Sequence, residues 1–369
     1  MKPANELELA EAIRAATGPV RIVGGGTRRV GPPPAGALLE TGGLAGISLY
    51  EPGALTLVAA AGTPLAEVEA VLAEGGQRLP FEVPDLRGLL GREGVSTIGG
   101  VVAANASGPR RIQAGACRDS LIGVRFVDGA GTIVKNGGRV MKNVTGYDLV
   151  KLMAGSCGTL GVLTEVAFKV LPRPEAEATL TRGGLDPVAA VAAMSQALGS
   201  PFEVTGAAYV AGQVRLRMEG MAGSVAYRQG ALAKLLGAGW DVVEAAQSAA
   251  LWQEIRDVTP FVGQPGAVWR LSVKPSDMPQ VLALLTEAQT LCDWGGGLIW
   301  ARVPDAGDAQ AASLRGLLAQ IGGHASLLRA SAEVLATVPA LHPEAPGVAA
   351  LTRGLRAKFD PRGLFSAQE

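Results

Sequence analysis

Residues 20–34 read V-R-I-V-G-G-G-T-R-R-V-G-P-P-P, a short apolar strand, three adjacent glycines and then a proline run. Proline has no amide hydrogen and clashes with the preceding helical turn. No long helix can therefore start behind the glycines. That argues against a nicotinamide-type turn, in which G-x-G-x-x-G opens a helix; residues 24–29 are G-G-G-T-R-R, without the last glycine. A G-x-x-x-x-G-K-[S/T] phosphate loop does not occur. Two readings remain: a turn whose amides form an anion nest with no helix behind it, or an ordinary strand-to-loop turn. For a lone triple glycine the ordinary turn is the better reading. A second glycine-rich region shifts the balance.

The chain has 369 residues, which suggests two domains at roughly 100–200 residues each. Its 51 glycines are about twice the usual ~7% share and gather between residues 24 and 161, with no repeat period. The formal net charge is zero, so bulk electrostatics favour neither nucleic acid nor an anionic membrane. No apolar run reaches the ~18 residues of a membrane span. The opening segment alternates acidic and apolar residues at helical spacing, unlike a signal peptide. A cytoplasmic chain is expected, touching a membrane only through partners. Cys117, Cys157 and Cys292 stand far apart, too few for an iron–sulfur cluster, which usually takes four thiolates. With His324 and His342 the only histidines, no metal site is expected.

Asn5 is placed to cap a helix over about 6–16, with Glu8 as its box partner. Strands follow at 20–23 and 54–61, then a helix from Pro64 to Glu74 with Thr63 as cap. Residues 79–118 carry little periodicity and many glycines; so long a loop in a compact domain has a function. A hairpin around D-G-A-G, a helix D-L-V-K-L-M-A and a strand over 162–171 complete the first domain. Pro172 and Pro174 mark the boundary. Beyond them, a hairpin turning at Ala211-Gly212, helices at about 223–237, 278–290 and 308–321, and strands at 268–273, 297–303 and 324–329 describe a helix-covered antiparallel sheet. A last helix, 347–358, ends in K-F-D-P-R-G-L-F.

Four motifs occur in order: G-G-G-T at 24–27, S-T-I-G-G-V-V-A-A-N-A-S-G at 96–108, C-R-D-S-L-I-G-V-R-F-V-D-G-A-G at 117–131 and V-T-G-Y-D-L-V-K-L-M-A-G-S-C-G-T-L-G-V-L-T-E at 144–165. Together they resemble the FAD-binding (PCMH-type) domain of the vanillyl-alcohol oxidase family, over about residues 15–172. Within it the likeness is to the FAD-bearing E-type subunits of bacterial glycolate oxidases, which this chain's later segments V-W-R-L-S-V-K-P, W-G-G-G-L-I-W and G-G-H-A-S-L-L-R-A also resemble. The fold so implied is α+β: a two-subdomain FAD-binding domain (1–172), a smaller antiparallel-sheet, ferredoxin-like substrate domain (173–345), and a C-terminal helix and tail (346–369) returning to the FAD domain.

By this resemblance Val23, Gly24, Gly25, Gly26, Thr27 and Arg28 wrap the FAD pyrophosphate, with Arg29 an alternative to Arg28. Ser96, Thr97, Gly99, Gly100, Asn105, Ser107 and Gly108 run along pyrophosphate and flavin. Gly158, Leu160, Gly161 and Val162 approach the adenine. Arg118 either pairs with Asp119 or meets the ligand. FAD is expected to be non-covalent, with Cys117 a buried, inert thiol. Gly25 is expected to need positive φ. The family's histidine-rich H-x-G-D-G-N-like segment is missing. Oxidising a 2-hydroxy acid needs a base, a carboxylate clamp and a flavin; His324 is the best base available, and Arg270 and Arg329 are better clamps than Arg302. Trp252, Trp269, Trp294 and Trp300 wall either a flavin pocket or a domain core. The implied function is a FAD-binding subunit of a multi-subunit glycolate dehydrogenase with a related, D-like FAD partner and an F-like iron–sulfur partner. The rivals are a stand-alone D-2-hydroxy-acid dehydrogenase and a flavin-holding structural subunit.

Overall fold

A computed structural model describes residues 1–31, 33–138 and 146–365 of the chain. Its first helix, Glu6–Ala15, starts as its capping residues require. The Asn5 side-chain oxygen accepts from the Glu8 amide at 2.9 Å, and Glu8 accepts in return from the Ala4 amide at 2.8 Å. Leu9, Ala10 and Ile13 face inward and pack on Val20, Leu39, Leu44, Leu364 and Phe365. The strand Val20–Val23 runs parallel to Ala37–Glu40. Beyond the last helix, Pro346–Phe359, the chain comes back to this strand: the Val20 amide donates to the Leu364 carbonyl at 2.7 Å.

The second layer is a five-stranded antiparallel sheet in the spatial order Ile47–Glu51, Thr56–Ala60, Val162–Lys169, Leu121–Val127, Ile133–Gly137. Alternating residues Leu57, Ala59, Val124, Phe126, Val166 and Phe168 cluster under the helices Leu65–Glu74 and Ile98–Ala103. Each buried Leu, Val or Phe among them stabilises the fold by roughly 1.5–3 kcal/mol. Thr63 does not cap the first of these helices. Its hydroxyl bonds Gly46 and Ala60 instead, and the helix starts at Leu65 with Pro64 as the residue before it.

The second domain holds an eight-stranded antiparallel sheet, wider than the sheet of the first. Its spatial order is Asp241–Glu244, Ala176–Gly183, Gln213–Gly220, Gly206–Val210, Gln289–Asp293, Leu298–Val303, Ala267–Ser272, His324–Arg329. Read along the chain, this is a βαββαβ unit over 176–244 and a second over 267–329, joined edge to edge through Tyr209↔Cys292 and Val210↔Leu291. The ferredoxin-like unit therefore occurs twice. The sequence reading missed strands at 176–183, 241–244 and 289–293. It also ran the helix from 278 too far: the helix is Met278–Leu284, because Gln289–Asp293 pairs with strands on both sides.

Period-two alternation gives the large sheet two different faces. Leu216, Met218, Trp269, Leu271, Cys292, Ile299 and Leu327 lie under the helices in one core. The intervening residues Arg217, Glu219, Arg270, Asp293, Trp300 and His324 take the opposite face, which is turned toward the first domain. Leu89, from the long glycine-rich loop, packs into that face with Val268, Leu291 and Trp300.

Candidate cofactor cleft and active site

The triple glycine ends the strand Val20–Val23 at the floor of a cleft with about 1190 Å³ of free space, part of it open to solvent. Val23 to Arg29 line one wall; Thr97, Gly99, Gly100, Gly158, Gly161 and Val162 line the others. The two loops touch. A Cβ on Gly25 would stand 1.6 Å from the Val95 carbonyl oxygen, and one on Gly99 would stand 2.6 Å from that of Ala61. Gly25 is thus required by close backbone approach; positive φ belongs to its neighbour Gly26, at 67°. Arg28 bridges the loops by donating to Ser96 Oγ at 2.7 Å, Thr27 Oγ1 at 3.2 Å and the Pro84 carbonyl at 3.3 Å. Burial lowers its guanidinium pKa, while Asp85 acts in the opposite direction.

The amides of Gly25, Gly26, Thr27, Arg28 and Arg29 donate to no protein acceptor among the described residues. Five successive unpaired donors on the wall of a cleft suit an anion. Arg21 and Arg29 line the same cleft, and Arg29 is repelled by Arg92 and Arg21.

Several expected contacts lie behind this wall. The Asn105 side chain accepts from the Arg118 amide at 3.0 Å, and Ser107 Oγ accepts from the Cys117 amide at 3.3 Å, so both shape the second loop. Leu160 is 6% exposed and belongs to the sheet core. Arg118 is exposed and forms no ion pair with Asp119; Asp119 Oδ2 accepts instead from the Ala116 amide at 2.7 Å. Cys117 is fully buried and its thiol pKa is driven far upward by burial. The cysteine that does line the cleft is Cys157, which is exposed; partial desolvation raises its thiol pKa.

The second part of the site is where the large sheet meets the second loop. The Gly108 carbonyl accepts from Trp294 Nε1 at 3.0 Å. Arg270 lies 5.3 Å from the Trp294 ring centre and 5.9 Å from that of Trp300. Its guanidinium donates to no protein acceptor among the described residues, and burial lowers its pKa to about 10, with Arg111 adding repulsion. His324, which is exposed, starts the edge strand on the same face; partial desolvation, then Arg270, His342 and Arg111, lower its pKa. Asp293, unremarked in the sequence, is 2% exposed with its pKa raised by burial to about 7.

Arg329 does not join this group. Its guanidinium donates to the carbonyls of Gly266, Leu89, Phe261 and Gln264, so it ties the edge strand to two loops and is no carboxylate clamp. Arg302 is likewise occupied, by Gln289 and the Pro265 carbonyl. The tryptophans divide by face: Trp269 is in the helix-side core, Trp252 stacks under Arg217, and Trp294 and Trp300 flank Arg270. Arg111 also belongs to the site, its guanidinium carbon 4.7 Å from the Trp294 ring centre. It is the second arginine of G-P-R-R, and nothing in that motif separates it from Arg110.

Residues 1–137 match the family model described as FAD binding domain. The glycolate oxidase subunit GlcE of Escherichia coli (strain K12) is 36% identical over 338 residues, 91% of this chain and 88% of that protein. The glycolate oxidase subunit GlcD of Bacillus subtilis (strain 168) is 45% identical over 86 residues, 23% of this chain and 18% of that protein. Among solved structures, an alkyldihydroxyacetonephosphate synthase superposes on the whole chain and 76% of its own length with a TM-score of 0.72 at 16% identity, a likeness of fold. FAD is the cofactor these relationships give, and the cleft fits it: five free amides, a buried guanidinium and a wall too close for side chains suit a diphosphate.

Proposed function

The chain belongs to the FAD-linked oxidoreductase family of the glycolate oxidase subunit GlcE, and on that premise we propose that it is the FAD-bearing subunit of a multi-subunit dehydrogenase oxidising glycolate to glyoxylate. The observation that supports this reading is a likeness to GlcE that extends through both the cleft and the large sheet. Electrons leave through a related flavin subunit and an iron–sulfur subunit. No described helix is long and apolar enough to cross a membrane; contact with one comes through the partners.

In this reading the amides of Gly25 to Arg29 and the Arg28 guanidinium bind the diphosphate, and Thr97, Gly99, Gly100, Gly158, Gly161 and Val162 shape the cleft around the cofactor. Val23 and Gly24 lead the strand into it. Asn105, Ser107, Gly108 and Ser96 hold the second loop in place. FAD, when bound, supplies a two-electron acceptor. Arg270 takes the carboxylate of the 2-hydroxy acid, for which its unpaired guanidinium is suited. His324 takes the hydroxyl proton on a ring nitrogen, partial desolvation and the surrounding cations favouring its uncharged form beforehand. The buried stacking of Arg270 on Trp294 and Trp300 limits water around the anion. This arrangement also favours a second reading, turnover by this chain without its partners.

The test is to purify the chain alone, load it with FAD and add glycolate without oxygen. A flavin that glycolate does not bleach until the partner subunits are added is expected. Bleaching by glycolate in the isolated chain would establish the second reading, and a chain or complex that retains no flavin would overturn both.

A further inference from the structure

Arg111 and Arg270 come from different domains and meet on one indole. Arg111 starts the short helix Arg111–Ala114 in the glycine-rich loop of the first domain. Arg270 lies in the strand Ala267–Ser272 of the large sheet. Their guanidinium carbons stand 4.7 and 5.3 Å from the Trp294 ring centre. Neither guanidinium donates to a protein acceptor among the described residues. Each is desolvated; repulsion from Arg111 acts on Arg270, and both cations act on His324. Asp119 acts in the opposite direction on Arg111 and Asp293 on Arg270, and neither carboxylate forms an ion pair with them.

Two like charges are not brought together at a domain boundary by packing alone, because each raises the cost of burying the other. Stacking on tryptophan recovers only about 0.5–2 kcal/mol per cation. An anion held between the two forks removes the repulsion and satisfies both. We infer that Arg111 is a second substrate-binding residue, which with Arg270 forms an inter-domain clamp on the carboxylate of the substrate. This rests on the reading of that sheet face as a 2-hydroxy-acid site. Trp294 positions both arms, anchored by its bond to the Gly108 carbonyl and by its amide, which donates to Asp293 Oδ1 at 2.7 Å. Small acids are favoured, because one carboxylate must reach both domains at once.

Oxalate, an unreactive anion, tests this on the FAD-loaded protein, in complex with its partners where it is isolated so. Its binding is read as a perturbation of the visible flavin spectrum. Arg111→Gln is expected to weaken oxalate roughly ten- to hundredfold, the effect of losing a hydrogen bond to a charged group, with flavin content unchanged. Arg111→Lys keeps the charge without the fork and is expected to fall between. Wild-type affinity in Arg111→Gln would overturn the clamp while leaving the oxidoreductase reading intact. Loss of flavin in both variants would overturn it by assigning Arg111 to the cofactor. A wild-type spectrum that neither oxalate nor glycolate perturbs would remove the substrate site itself.

Discussion

Arg217 holds Glu82 with two parallel hydrogen bonds, Nη1 to Oε1 at 2.8 Å and Nη2 to Oε2 at 3.0 Å, and so fastens the large sheet to the glycine-rich loop of the other domain. Glu82 also accepts from the Arg110 amide at 2.7 Å. Next along the strand, Glu219 receives Arg110 through Nε at 2.9 Å and Nη2 at 2.8 Å, and Arg78 at 2.5 Å. Three arginines and two glutamates thus close the boundary between domains, and the loop that walls the cofactor cleft is held from behind.

Removing one member of such a buried group leaves its partner desolvated and unpaired. Arg217→Met should therefore destabilise the protein by roughly 3–5 kcal/mol, measured as a lower midpoint in urea. Glu82→Gln in that background should restore part of the loss; additive losses would show that the two side chains are not coupled.

Acid should open this boundary. The neighbouring arginines overcome the effect of burial and hold the Glu82 carboxyl down from 4.5 to about 2. A depressed folded pKa means stability that is complete above the unfolded value and lost as pH falls from about 4.5 to about 2. Stability curves over that range should slope less in Glu82→Gln than in the wild type. Asp293 has the opposite sign: burial raises it from 3.8 to about 7, so its contribution fades as pH rises between those values. Asp293→Asn should gain stability relative to the wild type as pH rises from 3.8 to about 7 and hold a constant advantage above that; a constant difference across the whole range would contradict the assignment.

The last two glycines of the triple should fail differently. Gly25→Ala sets a methyl carbon 1.6 Å from the Val95 carbonyl oxygen, so the loops must separate and FAD retention should be lost. Gly26→Ala meets nothing nearer than Val23 at 3.8 Å and bears only the strain of φ 67°, roughly 1–2 kcal/mol. It should keep most of its flavin, measured as the ratio of flavin to protein absorbance.

Arg270→Lys and Arg329→Lys separate binding from support. The first should weaken 2-hydroxy-acid or oxalate binding about tenfold with little change in unfolding, since its fork has no protein partner. The second breaks bonds to four carbonyls and should lower stability by roughly 1–3 kcal/mol while leaving ligand affinity near that of the wild type. Equal effects on binding would return Arg329 to the site.

The local signals in the sequence were strong where covalent geometry speaks. Asn5 and Glu8 specify the first helix start, the proline run bars a helix after the glycines, and the order of glycine motifs places two loops on one cleft. These are statements about φ, missing amide hydrogens and small side chains, and each acts over a few residues. Thr63 shows the limit even there, since its hydroxyl had nearer partners in Gly46 and Ala60 than the helix it precedes.

Other outcomes needed the whole chain. The short strand Gln289–Asp293 has little pattern of its own and exists because neighbours on both sides supply its hydrogen bonds. Gly25 is needed because Val95, seventy residues on, passes against it. Arg270 and Arg329, alike in flanking residues, part ways only when one faces two indoles and the other a ring of carbonyls. Family and sheet-and-helix character are legible along the chain, because they rest on the order of short motifs and on local backbone preferences. Which arginine is free to meet a substrate was decided by the tertiary structure, because a guanidinium's role depends on which acceptors the fold brings within three ångströms of it.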